Sequence, residues 1–307
     1  MGFMSTILIT GGNGMIGSAF KKMPTNHEVV FISRKEADLT DRHQVDTLFS
    51  KYKPDYVIHT AARVGGIGRN INSPVQQFSD NILMNTNVID MSFKYDVKKL
   101  IAFSSICAFP AELITLSEKA QHDGAPYYGH ASYAYAKRMV NVQIDAYRQQ
   151  YGCNYCTVIP TNLFGENDNY HLEDAHVVPA LIHKAFLYTK YNNPFIIWGN
   201  GESIREFVYS KDLCDICFKL LELDELPSSL IVPGHSRSVK QIVENIAKYK
   251  NISNIIYDES KPNGQKIRQT EPKIFQKYFP NYKFTCFDQA LINSIDYFFD
   301  NYENIRK

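Results

Sequence analysis

The sequence carries almost no net charge. Across 307 residues, 33 Lys and Arg face 32 Asp and Glu, leaving a formal +1 at pH 7. That excludes the basic field nucleic-acid binding requires, and no nucleic-acid partner is expected. Long apolar runs are also missing. None approaches the roughly 20 residues that cross a bilayer, so no membrane partner is expected. The opening "MGFMSTILITGG" runs straight into strand-forming residues, without the basic, apolar and small-residue order of a secretory signal. Gly2 loosely matches a myristoylation motif, a pattern common by chance. Cysteine is sparse, at positions 107, 153, 156, 214, 217 and 286. "CNYC" and "CDIC" have metal-ligand spacing, but neither sits in a knuckle of Gly or polar turn residues. The expectation is no metal, buried free thiols and a reducing cytoplasm.

What the chain does contain is a regular alternation. "TILIT", "EVVFIS", "DYVIHTAA", "LIAFSS" and "CTVIP" read as buried parallel strands. Between them lie helical patterns such as "PVQQFSDNILMNTNVIDMSFKYD". Such βαβ alternation predicts an α/β fold with a doubly wound parallel sheet over residues 1–160, with a return around 206–224. After Pro160 the pattern loosens, with "FIIWGNGESIREF" and "SLIVPGHS" as further strand-and-turn signals. Residues 161–307 are expected to form a smaller substrate-binding cap, with the site in the cleft between.

Gly11, Gly14 and Gly17 in "ILITGGNGMIGSAF" follow the first strand and open a helix. Glycine there permits a tight turn and close approach of N–H groups to a pyrophosphate, so dinucleotide binding is expected. The second strand ends at Ser33 and Arg34, where an NAD site would usually carry an acidic residue. A guanidinium suits a 2′-phosphate, so NADPH is the expected cofactor, against the plainer reading of a solvated basic turn. Tyr133 and Lys137 in "SYAYAK" fall four apart, on one face of a helix. An ammonium near a phenol favours the phenolate, which would let Tyr133 exchange a proton near neutral pH. In "FSSICAFP", Ser105 and Cys107 are two apart, which on a strand puts both on one face.

Glycine loop, Ser105, Tyr133 and Lys137 together resemble an extended short-chain dehydrogenase/reductase. A narrower resemblance rests on "HTAARVGGIGRNINSP", "SSICAFP", "SYAYAK", "VIPTNLFGENDNYHLEDAHVVPALI", "WGNGESIREFVYSKDL" and "KPNGQ". These stretches, in order over essentially the whole chain, are similar to the GDP-L-fucose synthase family. That resemblance implies 3,5-epimerisation of a GDP-4-keto-6-deoxy sugar, then NADPH-dependent reduction at C4. It implies that Ser105 holds the sugar carbonyl, Cys107 is the epimerisation base and His176 the acid. On the same ground the cofactor site comprises Gly11, Gly12, Asn13, Gly14, Met15, Ile16, Gly17, Ser33, Arg34, Asp38, Leu39, Ala61, Ala62, Lys137, Pro160, Thr161, Asn162, Leu163 and His176. Lys184, Trp198 and Arg205 carry over as substrate contacts. Lys184 stands where the family has arginine, and Asn263 where its "KPDG" has aspartate, so hexose or heptose stays open. Reduction without epimerisation is the alternative. A dehydratase would carry an Asp-Glu pair where this chain reads "ICAF"; a 4-epimerase would not call for Cys107 with His176. A binding protein without turnover tends to lose the tyrosine or lysine. Two apolar helices, around "FSDNILMNTNVIDMSF" and "YAYAKRMVNVQIDAY", suit a homodimer.

Overall fold

A computed structural model describes residues 4–261 and 265–306. Gly2 and Asn263 lie outside the described residues. Six parallel strands form the main sheet, in the order Ser229–Val232, Tyr155–Pro160, Lys99–Phe103, Tyr56–His59, Thr6–Thr10, Glu28–Ile32. Alternation along each strand builds two cores. Ile7, Ile9, Ile58 and Ile101 face helix Ser210–Glu222 through Leu213, Ile216 and Leu220. Leu8, Val57 and Leu100 face the opposite layer through Val88, Ile89, Val140 and Ile144. That layer is made of helices Pro74–Lys94 and Ala131–Tyr151. A sheet buried on both faces reads as continuous apolar runs, which is how five of these strands appear in the sequence.

The sixth strand corrects the expected organisation. Ser229–Val232, from "SLIVPGHS", joins the main sheet beside Tyr155–Pro160. Its apolar run carries no local sign of which sheet it completes. The remaining segments form a second core of Phe164, Tyr170, Leu181, Phe195, Phe207, Ile242, Phe287 and Phe298. Its sheets pair Ile204–Tyr209 with His235–Ser238 and Asn162–Phe164, and Phe195–Trp198 with Ile255–Asp258. One short pairing crosses between the two bodies: Gln269–Thr270 lies parallel to Thr115–Leu116. No described helix is long and apolar enough to cross a membrane.

Candidate active site

The expected cofactor residues Gly11, Ser33, Ala61, Pro160 and Thr161 stand at or just beyond the carboxyl ends of main-sheet strands, the edge where open α/β sheets bind ligands, while Lys137 reaches that edge from helix Ala131–Tyr151. Gly11 follows strand Thr6–Thr10 with φ +73°, and a Cβ there would stand 2.7 Å from Thr60 Oγ1. A Cβ on Gly17 would overlap the Gly11 carbonyl and stand 2.6 Å from Gly12 Cα. The short helix Met15–Phe20 thus lies directly against the turn, and Gly12 N–H is tied to Ile32 O at 2.8 Å. Asn13 and Ile16 are anchored as well: Lys21 Nζ reaches Asn13 Oδ1 at 3.1 Å, and Cys214 Sγ reaches Ile16 O at 3.6 Å.

Beyond the second strand, Ser33 N–H and Oγ donate to the Glu36 carboxylate at 2.7 and 2.5 Å. Arg34 is 80% exposed and lies 3.3 Å from Asp38. The Asp38 carboxylate accepts from Thr40 N–H and Oγ1, which with Arg34 holds it below the usual carboxylate range. Leu39 is buried, its carbonyl accepting from Asn87 Nδ2 at 2.9 Å. Ala61 N–H donates to Thr10 Oγ1, which also bonds His59 Nδ1 at 2.7 Å; Ala62 follows in the same loop. Burial, followed by the charge of Lys137, lowers the pKa of His59 to about 3 and keeps the ring neutral. Pro160 ends its strand; Thr161 N–H bonds Val232 O, Asn162 Nδ2 bonds Glu206 O, and Leu163 packs on the core. Thr161 Oγ1 is buried with no hydrogen-bond partner, an orphan that a bound molecule would satisfy.

The catalytic candidates meet one strand over. Strand Lys99–Phe103 ends before Ser105, which caps a 3-10 turn, Ile106–Ala108. This corrects the expected shared strand face. Cys107 lies inside that turn, its N–H donating to Ser105 Oγ at 3.2 Å, so the pair meets through the cap. Helix Ala131–Tyr151 brings Tyr133 to the same hydroxyl, and its hydrogen bond from Ser105 favours the phenolate only weakly. Burial and the adjacent Cys107 push the Tyr133 phenol well above its ordinary pKa. This shift runs against the phenolate expected from Lys137, whose Nζ lies 5.9 Å from the centre of the Tyr133 ring. Lys137 is 2% exposed, donates to Phe103 O at 2.8 Å, and is lowered by burial to about 8. Burial likewise raises the Cys107 thiol.

The remaining candidates belong to the second body. His176 is the N-cap of helix Val177–Tyr191 and opens to solvent; the protein around it lowers its pKa against the pull of Asp174. Asp174 ties that loop to the first body through Arg69 at 3.0 Å and Gly66 N–H at 2.9 Å. Lys184 donates to Ile196 O at 2.9 Å and lies 5.2 Å from the centre of the 61% exposed Trp198 ring. Arg205 and Arg268 are mutually repelling guanidiniums, both lowered mainly by burial. Arg268 and His130 escaped the sequence reading. The first has no motif spacing. The second falls three residues before Tyr133, a helical interval that could have pointed to it. The thiols also differ from expectation: Cys156, Cys214 and Cys217 are buried, whereas Cys153 is half-buried and Cys286 exposed, since each lies where its element meets solvent.

A glycine turn under five strand ends, with serine, tyrosine and lysine beside it, defines a nucleotide-dependent enzyme of the reductase and epimerase class. The model of the NAD dependent epimerase/dehydratase family matches residues 7–232. GDP-L-fucose synthase of Dictyostelium discoideum is 36% identical over 98% of each chain. The NADP-bound structure of a GDP-L-fucose synthetase from Naegleria fowleri superposes with TM-score 0.92 at 33% identity, over 99% of this chain and 95% of that one. A GDP-mannoheptose C4 reductase from Campylobacter jejuni, also with NADP bound, gives 0.85 at 25%, over 97% and 99%. The chain belongs to the GDP-L-fucose synthase family within the NAD dependent epimerase/dehydratase family.

Proposed function

We propose that the protein reduces the C4 ketone of a GDP-4-keto-6-deoxy sugar with NADPH, after epimerising C3 and C5. The observation that carries this is Ser105, whose hydroxyl serves Tyr133 and Cys107 from one point. The residues at the strand ends fit the dinucleotide: Gly11 and Gly17 leave no room for a Cβ, and Thr161 Oγ1 awaits a partner. When bound, the nicotinamide supplies the hydride. Ser105 hydrogen-bonds the C4 oxygen, and Tyr133, kept protonated by burial, delivers the proton to it. Lys137, fixed by Phe103 O, orients the cofactor ribose and its charge offsets the developing phenolate.

The same polarised ketone acidifies the protons on C3 and C5. Cys107 removes each proton as thiolate, and His176 returns one to the other face. The resting Cys107 is a thiol, since burial raises its pKa. Arg205 and Lys184 bind the diphosphate. Exposed Val75, Phe78 and Leu83 on one helix, and Tyr135, Met139 and Val142 on its neighbour, support a homodimer. Six free cysteines support a reducing, cytoplasmic setting.

A second reading, C4 reduction alone, draws on Lys184 in place of the family's arginine and on the likeness to the heptose reductase. The deciding experiment incubates the protein in deuterated water with GDP-4-keto-6-deoxy hexoses and heptoses, with and without NADPH. Deuterium at C3 and C5 without NADPH, and reduction with it, is the expected result. Reduction without uptake selects the second reading, and no NADPH consumption on any sugar overturns both.

A further inference from the structure

The loop carrying Cys107 is held by two arginines that are not equally used. Arg138, on helix Ala131–Tyr151, donates Nε to Ala108 O and Nη2 to Gly124 O. Arg268 comes from the other body and donates Nη2 to Pro110 O at 3.1 Å, reaching Phe109 O at 3.5 Å. Its Nε is buried without a hydrogen-bond partner. Its backbone is fixed on both sides. Gln269 N–H bonds Ile114 O, Glu271 N–H bonds Leu116 O, and Thr270 bonds the Glu206 carboxylate through N–H and Oγ1.

Carbonyl oxygens satisfy N–H groups but do not cancel a charge. Cys107, Arg205 and His130 are the described groups coupled electrostatically to Arg268, and none of them is a carboxylate. Around the thiol, Ser105 gives a hydrogen bond, while Tyr133 and His130 stay uncharged at neutral pH, one raised and the other lowered by burial. Arg268 is therefore the formal charge that favours the thiolate against burial.

We propose that Arg268 is a positioning residue for Cys107: its unneutralised guanidinium, docked on the 105–110 loop by segment 265–271, eases ionisation of the thiol to the thiolate that acts as base. This rests on Cys107 being the epimerisation base, and it makes that base dependent on a segment from the opposite body. The thiol is most reactive with 265–271 seated along 113–116.

The test is the pH profile of Cys107 alkylation by iodoacetamide, read by peptide mass spectrometry with Cys107→Ser as blank. NADPH binding checks that each variant is folded. An opposite charge close by shifts a pKa by about 1–3 units. Arg268→Gln should raise the apparent thiol pKa by at least ~1 unit and slow alkylation roughly tenfold at pH 7.5. Arg268→Lys, which keeps the charge, should recover most of that shift. If Arg268→Gln does not bind NADPH, Arg268→Met against Arg268→Lys gives the same comparison. A wild-type profile in the neutral variant overturns the proposal, as does an equal shift in the neutral and lysine variants. Deuterium uptake at C3 and C5 is scored separately. Its absence from the wild type, with an Arg268-dependent profile, defeats the base assignment and leaves the coupling standing.

Discussion

Replacing Gly17 by alanine adds one methyl at the tightest point of the cofactor rim. The new Cβ would overlap Gly11 O and stand 2.6 Å from Gly12 Cα, and both neighbours are backbone. No flexible side chain can move aside, so the helix Met15–Phe20 or the turn itself must shift. Overpacking of this kind costs about 1–3 kcal/mol. If the turn relaxes outward, NADPH must push it back, and Kd weakens by roughly 5- to 150-fold. Gly14 is the internal control. Its φ of −78° suits any residue, and its Cβ would meet only Gly11 O at 3.3 Å. Titrating NADPH by fluorescence against the wild type, Gly14→Ala and Gly17→Ala reads the contrast directly. Equal affinities for all three would refute the claim that the glycines are there for backbone approach.

Three further outcomes follow from the same site. Tyr133→Phe should bind NADPH normally and lose roughly 10²–10⁴-fold in turnover; near-normal turnover would assign the proton to another group. Arg34→Ala should weaken NADPH about tenfold and leave NADH unchanged, because the lost contact is to the 2′-phosphate; parallel losses would remove Arg34 from that role. Asp168 is buried with Oδ2 unpaired, and burial raises its pKa to about 7 despite the Asn169 N–H. Its folded pKa lies above the unfolded value, so stability is full below about pH 4 and falls as pH rises through 7. Asp168→Asn should therefore gain up to ~4 kcal/mol over the wild type at pH 8 and lose that advantage towards pH 4, in urea melts.

What the residues announced in advance depended on whether the signal is local. The strand Thr6–Thr10 and the glycines behind it are adjacent in sequence, and so are Tyr133 and Lys137 on their helix. Period and spacing suffice for these. Ser229–Val232 reads as a strand, but its pairing with Tyr155–Pro160 joins partners 72 residues apart, Ser229 with Thr157, and no local pattern encodes it. Cys107 follows an apolar run that points to a strand. The Ser105 hydroxyl instead captures its N–H and winds the chain into a 3-10 turn. The electrostatics of Tyr133 were half legible for a related reason: the lysine is visible in the sequence, whereas the burial that raises the phenol comes from the assembled fold. Arg268 had no motif at all, because its importance comes from the carbonyls it reaches more than 150 residues away.

Asn167 joins the two bodies at a single amide. Its Nδ2 donates to Ser18 Oγ at 2.7 Å and reaches Asn13 O at 3.5 Å, while Tyr297 OH donates to its Oδ1 at 3.5 Å. Anyone building chimeras meets a constraint here. A cut after Pro160 looks clean in sequence, yet a transplanted second half would arrive without Ser18, without the Gly66 and Arg69 that receive Asp174, and without the Pro110 carbonyl that receives Arg268. Sugar preference is therefore not a cartridge that can be exchanged alone. A working hybrid would have to carry the loops at 13–18, 63–69 and 109–116 together with the donor's second half.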